Sequence, residues 1–257
     1  VSAYYNEIDP FAAEWLRSLI KGGHIADGIV DERSIEDIQP DELREFTQCH
    51  FFAGIGGWSF ALRLAGWPDR LAAWTGSCPC QPFSVIGKQG GVEDERHLWP
   101  EFGRLIAQCD PPIVFGEQVA SKAGRDWLAG VRTDLEALGY AVGAADLCAA
   151  GVGAPHVRQR IFWVGYADDS RLEGHAGDER AARRSGSTRP VASSSCAVPW
   201  DNFMPITDRL GNARRCEPGL GPMAPRLSSH MGLLRAYGNA IVPQVAAQFI
   251  AAFQEAT

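Results

Sequence analysis

Two thiols, a carboxylate and a pair of arginines carry the chemistry that the residue types of this chain allow. Cys78 and Cys80 flank a proline in Trp74-Thr75-Gly76-Ser77-Cys78-Pro79-Cys80-Gln81-Pro82-Phe83-Ser84. An aliphatic run, Leu71 to Trp74, leads into this Pro-Cys-Gln-Pro turn, which delivers one thiol to the end of a buried strand. A thiolate there is a strong nucleophile. The competing reading, two small core hydrophobes, is the commoner fate of an isolated cysteine. Beyond the turn, Val85-Ile86-Gly87-Lys88-Gln89-Gly90-Gly91 is a polar, glycine-rich loop suited to closing over a substrate. Glu117 follows the apolar run Ile113-Val114-Phe115, at the carboxyl end of a predicted strand that faces the crevice of an open α/β sheet. A carboxyl group in that place can exchange a proton with a ring nitrogen. Arg158 and Arg160, in His156-Val157-Arg158-Gln159-Arg160, precede one more strand, Ile161 to Val164.

A second group of residues reads as a ligand site. Thr47 to Phe52 is a predicted strand feeding Ala53-Gly54-Ile55-Gly56-Gly57, and a helix follows from Trp58 to Ala65. Strand, tight glycine turn and helix together let backbone approach a nucleotide-like ligand at the positive end of a helix. Tyr4 to Asp9 reads as the end of a strand before the helical run Phe11 to Ile20. An acid at such a strand end commonly holds a ribose hydroxyl pair. Helix capping is a fair rival role for Asp9 and a weaker one for Glu7. An acidic unit runs from Ile29 to Ile38, with a short helical piece from Asp41 to Phe46. The remaining pattern is a helix from His97 to Gln108, a helix from Trp127 to Leu138, a strand from Tyr140 to Leu147 and a closing helix from Gln244 to Gln254. Phe51, Trp58, Trp67 and Trp74 are expected in packing, and His50 and His97 in structural roles. The expected class is α/β.

Composition bounds the rest. The 257 residues are 46% hydrophobic and 21% charged, enough to bury a real core. No apolar run approaches membrane-spanning length and the start has no leader-like pattern, so a cytoplasmic protein is expected. Seven cysteines, an odd and scattered count, predict reduced thiols, and Cys78-Pro79-Cys80 is too closely spaced for a zinc pair. No metal is expected. A formal net charge of -7 argues against a non-specific polyanion binder, although Arg158, Arg160, Arg183, Arg184, Arg214 and Arg215 can still build a basic face.

Taken in order, Phe52-Ala53-Gly54-Ile55-Gly56-Gly57, Pro79-Cys80-Gln81-Pro82-Phe83-Ser84, Glu117-Gln118-Val119, His156-Val157-Arg158-Gln159-Arg160 and Gly238-Asn239-Ala240-Ile241-Val242 resemble the motifs of the DNA (cytosine-5) methyltransferases. The resemblance implies a Rossmann-like fold and S-adenosyl-L-methionine as cofactor. It implies that Cys80 attacks C6 of a cytosine flipped out of double-stranded DNA, that Glu117 serves N3, that Arg160 contacts the base and that Arg158 braces the site. On the cofactor side it implies Phe52 beside the adenine, Ala53, Gly54, Ile55, Gly56 and Gly57 in the close-approach turn, and Glu7 with Ile8 at the ribose. Ser34 and Ile35 fall near the adenine, Pro79 beside the cofactor, and Asn239 and Ala240 at its methionine end. DNA contacts fall to Gln81, Ser84, Ile86, Gly87, Lys88 and Gln89 in the loop, with Ile86 as an apolar wedge, while for Arg214 and Arg215 a DNA phosphate contact and a salt-bridged surface are about equal readings.

Departures accompany the match. Ser34-Ile35 stands where the family usually has Asp-Ile, so Asp31 or Asp37 is a candidate substitute. Gln118 replaces an Asn and His156 a Gln, each keeping a hydrogen-bonding group. The Glu7 and Ser34 units precede the glycine turn instead of following it, which implies two strand-helix units moved to the amino terminus with their places in the sheet retained. The resulting division is a catalytic and cofactor domain at 1–167, a linker and small irregular target-recognition region at 168–237, and a returning segment at 238–257. The expected working form is a monomer on DNA. Rival functions are an RNA cytosine methyltransferase, a non-catalytic binding relative and a nucleotide-binding oxidoreductase. The last explains neither Cys80 nor Glu117.

Overall fold

A computed structural model describes residues 3–79, 98–167 and 238–257, with the backbone alone of 204–207 and 213–216. The glycine-rich loop with Cys80, Gln81, Ser84, Ile86, Gly87, Lys88 and Gln89 lies outside the described residues, as do His97, Arg183 and Arg184.

Seven strands form one sheet: β1 (Ala3–Asn6), β2 (Gly28–Asp31), β3 (Gln48–Phe51), β4 (Ala73–Gly76), β5 (Ile113–Val119), β6 (Tyr140–Cys148) and β7 (Gln159–Ala167). Their spatial order is β2-β1-β3-β4-β5-β7-β6. The first five run parallel, and β7 enters antiparallel to both β5 and β6. The inner parallel strands β1, β3 and β4 are buried along their whole length, as strands covered on both faces must be. Two further strands, β8 (Met204–Thr207) and β9 (Ala213–Cys216), pair antiparallel with each other.

Helices cover both faces. On one side lie α1 (Pro10–Lys21), α2 (Gly57–Leu64) and α5 (Pro243–Ala256). Leu16 of α1 packs with Tyr5, while Trp58, Ala61 and Leu62 of α2 pack with Val245, Ala246 and Ile250 of α5 over Phe115 and Phe162. That settles which face the helix after the glycine turn covers. On the other side, α3 (Trp99–Cys109) and α4 (Lys122–Ala137) bury Phe102, Ile106, Trp127 and Leu135 against Phe51, Trp74 and Trp163. Each such large apolar side chain contributes roughly 1.5–3 kcal/mol on burial. Successive residues of a strand serve opposite layers, which is why Tyr4 belongs to the second core and Tyr5 to the first.

Several sequence expectations are adjusted. The piece at 41–46 is not an α-helix: the chain makes two short 3-10 turns, Ile35–Asp37 and Pro40–Glu42, the second closed by Glu42 accepting from the Gln39 N–H at 2.9 Å. Helix α4 starts at Lys122, five residues before the apolar periodicity, because Ser121 caps it by accepting from the Gly124 N–H at 3.0 Å. Strand β5 runs through Glu117 to Val119, and β7 starts at Gln159, since each completes the other's ladder. The region 168–237, expected as a linker and recognition segment, lies outside the described residues apart from the backbone of β8 and β9. No helix among the described residues is long and apolar enough to cross a membrane.

Polar groups buried beneath the glycine turn are largely paired. Tyr5 donates to the Ala26 carbonyl at 2.7 Å and meets Ser59 of α2 at 3.0 Å, while its ring stacks on His50. His50 Nδ1 meets Thr75 Oγ1 at 2.9 Å, and burial pushes the imidazole down to about 3, so it is neutral.

One cross-strand row fixes the packing below the site. Phe51, Gly76, Gly116 and Trp163 are successive register partners on β3, β4, β5 and β7. A methyl group on Gly76 would strike the Phe102 ring, and one on Gly116 would enter the Trp163 indole. Gly116→Ala is therefore expected to destabilise the fold by about 1–3 kcal/mol, read as a lower urea midpoint with an unchanged slope.

Candidate active site

The carboxyl ends of β1, β3, β4 and β5 gather the residues that the sequence singles out, and β7 brings the arginines to them. At the glycine turn, β3 gives way to Phe52 with φ +51° and Gly54 with φ +55°, and Gly56, φ +82°, caps α2. Among the described residues a side chain on Gly54 would meet nothing within 4 Å, so they leave that face of the turn open. One on Gly56 would crowd Leu16, Leu19 and Ile25 at 3.2–3.3 Å, so this glycine serves packing against α1 as well as the turn. Ala53 is held by its N–H to the Asn6 carbonyl at 3.0 Å.

Glu7 and Asp9 divide the roles that the sequence left open between them. Asp9 Oδ1 accepts from Phe11 N at 2.9 Å and Ala12 N at 3.0 Å, the geometry of a helix cap. Glu7 reaches across the sheet instead. Its Oε2 accepts from Gly54 N at 2.7 Å and its Oε1 from Asp9 N at 2.9 Å, and burial raises its pKa against those two bonds. The carboxylate thus stands at the mouth of the glycine turn. Ile8 beside it is 66% exposed, an apolar surface at the same mouth.

The Ser34 unit is tied to this corner by Asn6, whose Nδ2 donates to the Arg33 carbonyl at 2.8 Å. Ser34 caps the first 3-10 turn, with Oγ accepting from Glu36 N at 3.4 Å. Ile35 is only 2% exposed, packed in the core, and offers little surface to a ligand. Of the two candidate substitutes, Asp31 is committed to Arg33 and to the Tyr4 hydroxyl at 2.8 Å, and those bonds hold its carboxyl low against the opposing effect of its burial. Asp37 is exposed.

Beyond β4, Cys78 is buried and its thiol is pushed far up by desolvation, so it is a core hydrophobe and no nucleophile. Pro79 beside it is half-buried. Trp58 Nε1 donates to Ser77 Oγ at 3.0 Å, and Ser77 is among the groups that oppose the rise of the Glu117 pKa. Glu117, 8% exposed on β5, pairs with Arg160 Nε at 2.8 Å across the antiparallel ladder, where Val119 and Arg160 are register partners. Burial raises the Glu117 pKa, and Arg160, Arg158 and Ser77 oppose that rise in that order. Gln118 points to the opposite layer and accepts from Val119 N at 2.9 Å through Oε1. Arg158 donates to the carbonyls of Gly238 at 3.0 Å and Ala240 at 2.6 Å, bringing the exposed Asn239 to the site. His156 is exposed on the same loop.

Of the expected residues, the structure brings together Glu7, Phe52 to Gly57, Glu117, Arg158, Arg160, Asn239 and Ala240. It moves Ile35 into the core. The side chains of Arg214 and Arg215 lie outside the described residues, and their backbone stands on β9. Sequence reasoning missed Ser77, Asn6 and the indole N–H of Trp58. Their signal was faint, since Trp58 reads as packing and is indeed buried.

A doubly covered, mostly parallel sheet with an antiparallel β7, a glycine turn answered by an acid and a buried carboxyl beside two guanidiniums defines the α/β fold of S-adenosylmethionine-dependent methyltransferases. Residues 67–193 match the family model of the C-5 cytosine-specific DNA methylases. The chain is 28% identical over 238 residues to the Type II methyltransferase M.AplI of Arthrospira platensis, covering 69% of this chain and 68% of that protein. It is 34% identical over 99 residues to M.HhaI of Haemophilus parahaemolyticus, which covers 37% of this chain and 30% of that protein. The chain therefore spans about two thirds of the first relative and less than a third of the second. Among solved structures, the S. pombe Dnmt2 methyltransferase aligns over 100% of this chain and 99% of its own, with a TM-score of 0.50 and 12% identity, a likeness of fold.

Removing one partner of the buried pair should be costly. Arg160→Met is expected to lose about 3–5 kcal/mol at neutral pH, with the loss shrinking as pH falls and Glu117 takes up a proton. Urea unfolding of wild type and variant at pH 7.5 and pH 5 checks the sign.

Proposed function

We propose that this chain transfers a methyl group from S-adenosylmethionine to C5 of cytosine in double-stranded DNA, through a covalent bond between Cys80 and C6. The observation that carries the reading is the buried Glu117, whose desolvation favours holding a proton while Arg160 holds its oxygen in place. In the sequence Cys80 comes four residues after Gly76, the last residue of β4, which lies beside β5. The Type II methyltransferase names of M.AplI and M.HhaI support DNA as the substrate and restriction-modification as the setting.

The residues present suit the cofactor. The open face of Gly54 leaves room for close approach, Glu7 keeps acceptor capacity beyond its two backbone bonds, and the rim of Phe52 and Ile8 offers apolar surface. Glu7 would hold the ribose hydroxyls, Phe52 and Ile8 the adenine, and Asn239 and Ala240 the methionine end. When bound, S-adenosylmethionine supplies an electrophilic methyl group.

The remaining work falls to side chains. The Cys80 thiolate adds to C6, and the displaced electron pair moves through C5 toward N3, where Glu117 delivers its proton. C5, now an enamine carbon, takes the methyl group. Loss of the C5 proton to solvent then drives the C6–S pair back onto sulfur, and N3 returns its proton to Glu117. Arg160 keeps the Glu117 carboxyl oriented and reaches toward the base. C6 is inaccessible in a stacked pair, so the cytosine must leave the helix. Arg214 and Arg215 on β9 would contact phosphate, with 168–237 supplying target recognition.

Incubation with tritiated S-adenosylmethionine and mixed-sequence duplex DNA, with transfer RNA in parallel, tests the reading. Label is expected in 5-methylcytosine from DNA alone, absent in Cys80→Ala, and slowed at least about a hundredfold in Glu117→Gln. Label in RNA alone would replace DNA as the substrate. Two neighbouring acids should separate cleanly. Glu7→Ala should weaken S-adenosylhomocysteine binding about tenfold or more, whereas Asp9→Ala should cost about 1 kcal/mol of stability and leave that binding unchanged by calorimetry.

A further inference from the structure

Three residues buried between the sheet and α2 close a ring of hydrogen bonds whose directions are all fixed. The Tyr5 hydroxyl donates its one proton to the Ala26 carbonyl at 2.7 Å. In its 3.0 Å contact with Ser59 Oγ it must therefore accept, so the serine is the donor. Ser59 Oγ in turn accepts from the Ala26 N–H at 3.2 Å, which returns the circuit to the residue where it began. Tyr5, Ala26 and Ser59 are all buried, and each hydroxyl gives one bond and takes one. Such a circuit polarises around its length, and opening it strands polar groups out of reach of water.

The three residues come from three places. Tyr5 lies on β1, two residues before Glu7, Ala26 lies on the segment that enters β2, and Ser59 lies in the first turn of α2, two residues after Gly57. The ring thus sits directly behind the bond from Gly54 N to Glu7 Oε2 at 2.7 Å. A second polar tie between α2 and the segment before β2 lies at the far end of the helix, where Arg63 Nη1 donates to the Gly23 carbonyl at 2.7 Å. Residues 57 to 63 span about 9 Å along the helix axis, so the two ties stand at different distances from the glycine turn.

We propose that the Tyr5 and Ser59 hydroxyls are positioning groups for the cofactor turn: through Ala26 they set the seat of α2 on β1, and with it the placement of Gly54 against Glu7. The proposal rests on the proposed function and adds to it two residues that touch neither cofactor nor base. The strand ladder fixes β1 against β3, and the ring adds the orientation of the helix that leaves the turn. With the ring broken at either hydroxyl, the first turn of α2 is free to shift, and the Gly54 N–H is no longer held at one distance from the carboxylate that answers it.

The test is calorimetric titration of wild type, Tyr5→Phe, Ser59→Ala, the double variant and Arg63→Met with S-adenosylhomocysteine, beside urea unfolding and methyl-transfer kinetics. Tyr5→Phe keeps the aromatic ring that stacks on His50 and removes only the hydroxyl. It and Ser59→Ala should each weaken ligand affinity about three- to tenfold, raising KM for S-adenosylmethionine with kcat little changed. The double variant should lose no more affinity than either single one, because one missing hydroxyl already opens the ring. Arg63→Met should lower the urea midpoint and leave ligand affinity unchanged. Unchanged affinity in Tyr5→Phe or Ser59→Ala, additive losses in the double variant, or an equal loss in Arg63→Met would each overturn the proposal, the last by showing that any loosening of α2 suffices. If one single variant is unfolded at the titration temperature, the other carries the test. Failure of the wild type to bind S-adenosylhomocysteine at all would instead overturn the cofactor reading.

Discussion

A carboxyl group taken out of water must be paired or protonated, and the centre of this molecule is arranged around that constraint at Glu117. Burial disfavours its charged form, while the Arg160 guanidinium at 2.8 Å favours it, and the net effect raises its pKa. The pair exists because β7 runs antiparallel to β5. In that register Val119 faces Arg160 across the ladder, and Glu117 lies on the same face of its strand two residues earlier. The ladder also places Trp163 opposite Gly116, where any larger residue would push the strands apart. The geometry of the Glu117–Arg160 pair and core packing therefore depend on the same few residue pairs.

The opposite end of the site obeys a different constraint. A glycine turn leaves backbone N–H groups pointing outward, and one of them, Gly54 N, is answered by Glu7 from a different strand. Strands β1 and β2 precede β3 in the chain, yet β1 lies directly beside it in the sheet. Sheet neighbourhood is set by pairing and by shared helical layers, not by covalent order. This placement supports the proposal that the two amino-terminal units were moved as a block, since the acid needs only to end its strand next to the turn. Asn6 then holds the loop of Ser34 to the same corner.

Much of this was legible beforehand because periodicity and turn chemistry are local. Helices α1, α2, α3 and α5 fall within about two residues of the apolar patterns that predict them. Strands β3, β4 and β6 likewise follow runs that the sequence displays. The pieces that moved did so for non-local reasons. Helix α4 gains a turn from a serine cap, and the acidic stretch around 35–42 stays in 3-10 turns because Ile35, Ile38 and Leu43 are drawn into the core from a segment too short for a helix.

By itself the sequence determined which residue types could do chemistry: a thiol after a strand, a carboxyl after another, a glycine turn and two arginines two positions apart. It also displayed the family resemblance, because ordered short motifs survive in the letters. Only the tertiary structure decided which acid caps a helix and which serves the turn, that Cys78 belongs to the core, that Ile35 is buried, and that Arg158 grips a segment 80 residues distant. Those outcomes are set by desolvation and by contacts between strands and loops remote in the chain, and neither is encoded in the neighbours of a residue along it.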